Sequence, residues 1–198
     1  MKQTAYKKLL ESVVSKQDSR PILKCIHYYN GNAYATDSHQ LVKINYDKDN
    51  KDNKDNYLIN TETGLPDYGK FPSVDNLFPT NNQIITTAVI DYSGVASLLV
   101  YLKANKKEVL QLKVSDGKIT INSKSNMVTT VELKEFTGED LTITINALYL
   151  YNIFNAIASL GKQYSLKDDI KINFLGKNYP VYIQYPTIKF LATPMRTY

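Results

Sequence analysis

The sequence has no tryptophan, a single cysteine, only two histidines and no long apolar run. With Cys25 alone, the chain forms no disulfide within itself and offers no thiolate cluster for zinc or iron–sulfur. A small buried hydrophobe is its expected role, inside the run Pro21-Ile22-Leu23-Lys24-Cys25-Ile26. No segment approaches the ~20 consecutive apolar residues of a membrane span. Residues 1–16 lack the apolar core of a signal peptide, so a cytosolic chain is expected. Charge of one sign is also modest. A net charge of +5 mildly favours an anionic partner, of which nucleic acid is the commonest, without proving one.

What is present is ordinary for a soluble globular protein: 43% hydrophobic and 22% charged residues in a chain of 198. That length suits one large domain or two small ones, with roughly 70% of the unfolded surface available for burial. Apolar positions at helical spacing predict helices over residues 4–16, 92–104 and 148–160, the last ended by Gly161 as a C-cap. Alternating runs predict strands over 22–29, 32–35 and 40–46, then 109–114, 119–122 and 128–133, then 141–145, 170–174, 181–184 and 188–192. Asn30-Gly31 and Asp116-Gly117 mark hairpin turns. The recurring order of strand, helix and three strands, at ~50–60 residues per copy, signals stacked similar units. The class is α+β, with helices on one face of antiparallel sheets.

The tandem KDNKDNKDN, residues 48–56, has no apolar residue and reads as a surface loop; phosphate contact by its lysines is the functional alternative. Residues 57–60 fit either a short strand or more loop. Gly64 to Pro79 reads as an extended connector pinned by prolines.

Several segments resemble, in order, the beta subunit of bacterial replicative DNA polymerase, the sliding clamp. They are QDSRPIL (17–23), ATDSHQL (35–41), YGKFPSVDNLFP (68–79), NALYL (146–150) and TPMRTY (193–198). The resemblance implies a DNA-clamp fold of about one and a half domains: a half unit at 1–47 like the start of the middle domain, a linker and crossover at 48–82, and a complete C-terminal domain at 83–198. It further implies that the family's first domain and the second unit of its middle domain are absent, as in a reduced phage- or mobile-element-like homologue.

Asp37, Ser38 and His39 look chemical, but neighbours on a strand point to opposite faces and form no local triad. Asp37 and His39 share a face, yet a third metal ligand is wanting. Turn closure by the Asp and Ser side chains is the stronger reading, so no enzyme, cofactor or metal is expected. In the resembled family this segment walls a shallow groove that takes a short partner peptide carrying Gln, Leu and Phe. Carried over, the groove comprises Leu23, Thr36, Ser38, His39, Gln40, Leu41, Pro72, Leu77, Asn146, Tyr149, Pro194, Met195 and Arg196; packing of a domain junction is the alternative. Gln40 and Asn76 stand where the family has Arg.

The helices of such clamps line a central hole. That implies non-specific duplex contact by Lys7, Lys8, Lys16, Gln17, Arg20, Lys103, Lys106 and Lys107, with Lys162 further along; ordinary solvated lysines are the alternative. The partners implied are double-stranded DNA, polymerase or repair-protein peptides, and further copies of the chain as a dimer or tetrameric ring. A processivity factor is the leading reading. A clamp mimic that engages replication proteins without encircling DNA is the other.

Overall fold

The computed structural model describes residues 5–46 and 54–195. Most of the KDN repeat, residues 48–53, and Arg196 of the expected groove therefore lie outside the described residues. The first unit comprises α1 (Ala5–Val13) and strands β1 (Cys25–Tyr29), β2 (Asn32–Thr36) and β3 (Gln40–Asn45). After the repeat come β4 (Asn56–Asn60) and the two-residue β5 (Pro66–Asp67). The second unit is β6 (Thr86–Ile90), α2 (Val95–Ala104), β7 (Val109–Ser115), β8 (Lys118–Ser123), β9 (Val128–Glu132) and the short β10 (Glu135–Gly138). The third is β11 (Leu141–Asn146), α3 (Ala147–Tyr164), β12 (Ile170–Phe174), β13 (Val181–Tyr185) and β14 (Ile188–Ala192).

Among the described residues, fourteen strands form two antiparallel sheets. One holds ten strands in the order β10-β6-β12-β13-β14-β3-β2-β1-β4-β5, and the other holds β11-β7-β8-β9. The expected hairpins close as drawn: Asn30 and Gly31 take φ values of 47° and 71°, Asp116 and Gly117 take 52° and 71°, the left-handed backbone a type I′ turn requires. The segment left open at 57–60 is strand, since β4 pairs along the whole of β1 from Cys25↔Asn60 to Tyr29↔Asn56.

Between the helices and both sheets lies the main core. It joins Leu9, Leu10 and Val13 of α1 to Leu98 and Leu102 of α2, Ile153, Phe154 and Ile157 of α3, and the inward residues of the strands. α3 is central, packing against α1 on one side and α2 on the other. The opposite face of the large sheet carries a second cluster, in which Leu23, Cys25, Tyr34, Leu41, Tyr182 and Leu191 are covered by Phe71 and Val74 of the crossover. Among the described residues, no helix is long and apolar enough to cross a membrane.

Three expectations are corrected: α1 ends at Val13 and not at residue 16, Pro21–Lys24 form a 3₁₀ turn where the strand over 22–29 was expected to start, and the end of α3 lies elsewhere. Gly161 does not end α3; the helix runs on to Tyr164, and Ser165 takes the left-handed cap conformation with φ 56°. Gly161 is glycine because the Tyr92 ring lies against it: a Cβ there would sit 1.8 Å from the Tyr92 hydroxyl.

Buried acids of the fold bear on alkaline stability. Burial, with Asp67 nearby, pushes the Cys25 thiol from 9.0 up to about 11, and burial pushes Tyr185 up to about 12. Both folded values lie above the unfolded ones, so the stability they contribute is complete below about pH 8.5 and is lost as pH rises through 11 to 12. The urea midpoint is expected to hold steady from pH 7 to 8.5 and to fall steeply towards pH 11. Cys25, fully buried, is expected to resist a thiol reagent at pH 8 until urea unfolds the chain.

Candidate functional site

The turn between β2 and β3 shows what the Thr36–Gln40 stretch does. Asp37 Oδ1 accepts hydrogen bonds from the His39 amide at 2.8 Å and the Gln40 amide at 2.7 Å. Thr36 Oγ1 donates to the Gln40 carbonyl at 2.6 Å and accepts from the Ser38 amide at 3.1 Å. The side chains close the turn, and Ser38 takes a positive φ of 80°. Of the two residues expected to do this, Asp37 does; Thr36 takes the part expected of Ser38, whose hydroxyl instead accepts from Arg20 at 2.5 Å. Among the described residues, no cluster of three or more His, Cys, Asp or Glu could hold a metal ion.

This turn sits at a seam between units. β14 continues the sheet into β3, pairing Ile188↔Ile44 through Ala192↔Gln40. The chain then leaves β14 along the turn: the Thr193 amide donates to the His39 carbonyl at 2.9 Å, and the Met195 amide donates to the Thr144 carbonyl of β11 at 2.7 Å. Asn146 caps α3 by accepting from the Leu148 amide at 2.9 Å. Tyr149, one turn further on, is raised above its usual pKa by burial and then by the charge of Asp37. Thus the turn, the start of α3 and the C-terminal tail meet.

The thirteen residues named from sequence divide by environment. Leu23 and Leu41 are buried floor, packed with Leu191 under the crossover. Ser38, His39, Pro72, Leu77 and Met195 are exposed, Leu77 and Met195 at 57% and 45%. Tyr149, Asn146 and Pro194 are half-buried, and Thr36 is buried in the turn. Gln40 goes elsewhere. Strand alternation turns it to the helix side, where it is 4% exposed, accepts from Asn152 Nδ2 of α3 at 3.1 Å and donates to Asp37 at 3.0 Å. It ties the first unit to α3 rather than facing a ligand.

Sequence reasoning missed several neighbours. Leu191 and Tyr182 extend the apolar floor, and Asn152 is Gln40's partner. Lys24 is buried apart from its tip, which meets Asp18 at 2.6 Å and Glu62 at 2.9 Å; those two acids hold its ammonium above the usual range. Lys43 is similar. Burial pulls its ammonium down, but Asp75 at 2.7 Å and the Tyr34 hydroxyl more than offset this and leave it raised. An apolar residue at a strand end or a lysine amid hydrophobes gives no periodic signal, so these were not legible.

The lysines named for DNA contact also divide. Lys8, Lys16, Gln17, Arg20, Lys103 and Lys107 are exposed. Lys7 pairs with Glu11 at 3.6 Å, and Lys106 lies over the Tyr151 ring at 3.6 Å from its centroid. A hollow of about 740 Å³ lies at the other end of the β3–β14 ladder from the turn and is lined by Lys43, Lys171, Lys189, Gln184 and Asp169 among others.

Paired units of this kind, with a helix layer on one side and continuous sheets on the other, define the clamp class of replication proteins. The likeness to solved structures is direct in shape. The chain superposes with a TM-score of 0.77 on the DNA polymerase sliding clamp of Bacillus subtilis, at 20% identity, covering 98% of this chain and 62% of that one. A putative DNA polymerase III beta subunit of Eubacterium rectale gives 0.79 at 10% identity, with 98% and 63% covered. Residues 75–190 match the family described as DNA polymerase III beta subunit, C-terminal domain, and the chain belongs to that family. The Beta sliding clamp of Streptococcus pneumoniae serotype 4 is 26% identical over 191 residues, covering 73% of this chain. The chain spans about half the length of the curated relatives it matches, 50% of this one.

Proposed function

We propose that the chain serves as a sliding-clamp-like, non-enzymatic processivity factor. Duplex DNA lies against the helix layer, held through phosphate without base reading, and a polymerase or repair-protein peptide docks at the seam. The observation that carries this is the charge of the helices. Glu11 is the only carboxylate in α1, α2 and α3, while Lys8, Lys103 and Lys162 stand exposed, one on each helix. Most of the chain's 19 acidic residues lie on strands and loops. A helix layer nearly free of carboxylate suits a polyanion that must be held yet slide.

Leu77 and Met195 are exposed, and Leu23, Leu41 and Leu191 belong to one buried apolar cluster; the docking reading takes these as the rim and floor of the peptide seat. Each Leu or Phe side chain a peptide buries there contributes about 1.5–3 kcal/mol before binding entropy. Fluorescence anisotropy with a labelled peptide carrying Gln, Leu and Phe is expected to show saturable binding. Leu77→Glu and Met195→Glu should each weaken it by about tenfold or more without altering the melting temperature, because both side chains are exposed. Unchanged affinity in both variants would remove the seam from the proposal. The DNA arm is retention on closed circular against linearised duplex. Salt-sensitive retention on the circle supports the processivity reading, and peptide binding with no retention transfers the chain to the mimic reading.

A further inference from the structure

The second and third units show how two such units complete each other. β6, which opens the second unit, pairs with β12 of the third; β11, which opens the third, pairs with β7 of the second; and α2 packs on α3. Each unit lends its opening strand to its neighbour's sheet. The first unit receives such a strand, since β4 lies beside β1 as β6 lies beside β12 and β11 beside β7. In the other two cases a helix follows the lent strand. After β4, the described chain passes through β5 and the crossover to Val74 with no helix. The helix layer therefore stops at α1 while the sheet runs on.

The uncovered part is specific. α1 packs over β2 and β3, leaving the helix-side face of β1 and β4 partly open. Tyr57 is 46% exposed and stacks on half-buried Tyr28 at 4.8 Å between centroids. A hollow of about 170 Å³ runs between α1 and these strands, walled by Lys7, Glu11, Ile26, Tyr28 and Ile59 among others.

We propose that this shelf is filled by a second copy of the same chain, two molecules meeting about a two-fold axis with their α1 helices antiparallel. The charge pattern selects this occupant. A two-fold contact must be complementary to itself, and the rim offers one cation and one anion a helical turn apart, Lys7 and Glu11. Antiparallel helices bring Lys7 of each copy to Glu11 of the other. A partner of one charge sign at this rim would satisfy only one of the two side chains. The stacked tyrosines give flat apolar area at small entropic cost, as protein interfaces favour. The α2–α3 pair inside the chain is the template.

The test is molar mass by light scattering across the micromolar range, with neither DNA nor peptide present, so that it stands or falls apart from the clamp reading. Twice the chain mass is expected. Lys7→Glu and Glu11→Lys should each raise the dissociation constant at least tenfold, because symmetry makes every change count twice. The double variant K7E/E11K should return it to within a few-fold of the parent. Tyr57→Lys, at an exposed position, should give a folded monomer by circular dichroism. A parent that stays monomeric, a dimer indifferent to all three single changes, or a double variant no better than the singles would each overturn the proposal.

Discussion

Replacing Lys8, Lys103 and Lys162 together by glutamate is expected to abolish retention on duplex DNA at physiological salt. These three place one exposed cation on each helix of the layer. If each neutralises one phosphate, the slope of log affinity against log salt becomes shallower by about 2.7 when all are removed. At a fourfold difference in salt, that slope alone is worth roughly 40-fold in affinity, and reversing rather than deleting the charges adds repulsion. Lys106 and Lys7 are poorer targets, since one sits on the Tyr151 ring and the other pairs with Glu11. The seam peptide should bind the triple variant normally. A salt slope equal to that of the parent would show that the lysines are merely solvated and that the helix layer does not face DNA.

The second large effect runs against helix propensity. Gly161→Ala in the body of α3 should gain about 0.5–1 kcal/mol on propensity alone. A Cβ there would instead stand 1.8 Å from the Tyr92 hydroxyl and 2.3 Å from the ring carbon bearing it. The ring must leave its place between the short helical turn at Tyr92–Gly94 and α3, losing its 3.4 Å hydrogen bond to the Ala158 carbonyl. Overpacking of this kind costs about 1–3 kcal/mol. A net loss of about 1 kcal/mol in urea unfolding is expected. Tyr92→Ala in the same chain should recover part of it, because the added methyl then fills vacated space. A Gly161→Ala variant more stable than the parent would show that the ring moves freely.

Most of the fold was legible in the sequence, for physical reasons that differ by element. Hairpins at Asn30-Gly31 and Asp116-Gly117 announce themselves because few residues accept positive φ. The helices were located but not bounded: α3 passes through Gly161, whose glycine answers a tertiary contact rather than a cap. β4 follows a repeat without apolar residues, and only pairing with β1 makes it a strand. β6 and β10 were not delimited either; β10 is exposed and short, and it is strand because it covers the edge of β6. At the seam, the turn chemistry of Asp37 could be read locally. The inward turn of Gln40 towards Asn152 could not, since the face a strand presents is fixed only once its register with β14 is set.

The ladder between β3 and β14 has a consequence for how the molecule comes apart. Five residue pairs of backbone carry the sheet from the first unit into the third, with no linker at that point. The most slowly exchanging amides should therefore straddle this boundary instead of collecting within either half. Heating should give one calorimetric transition, with no early melting of residues 25–45.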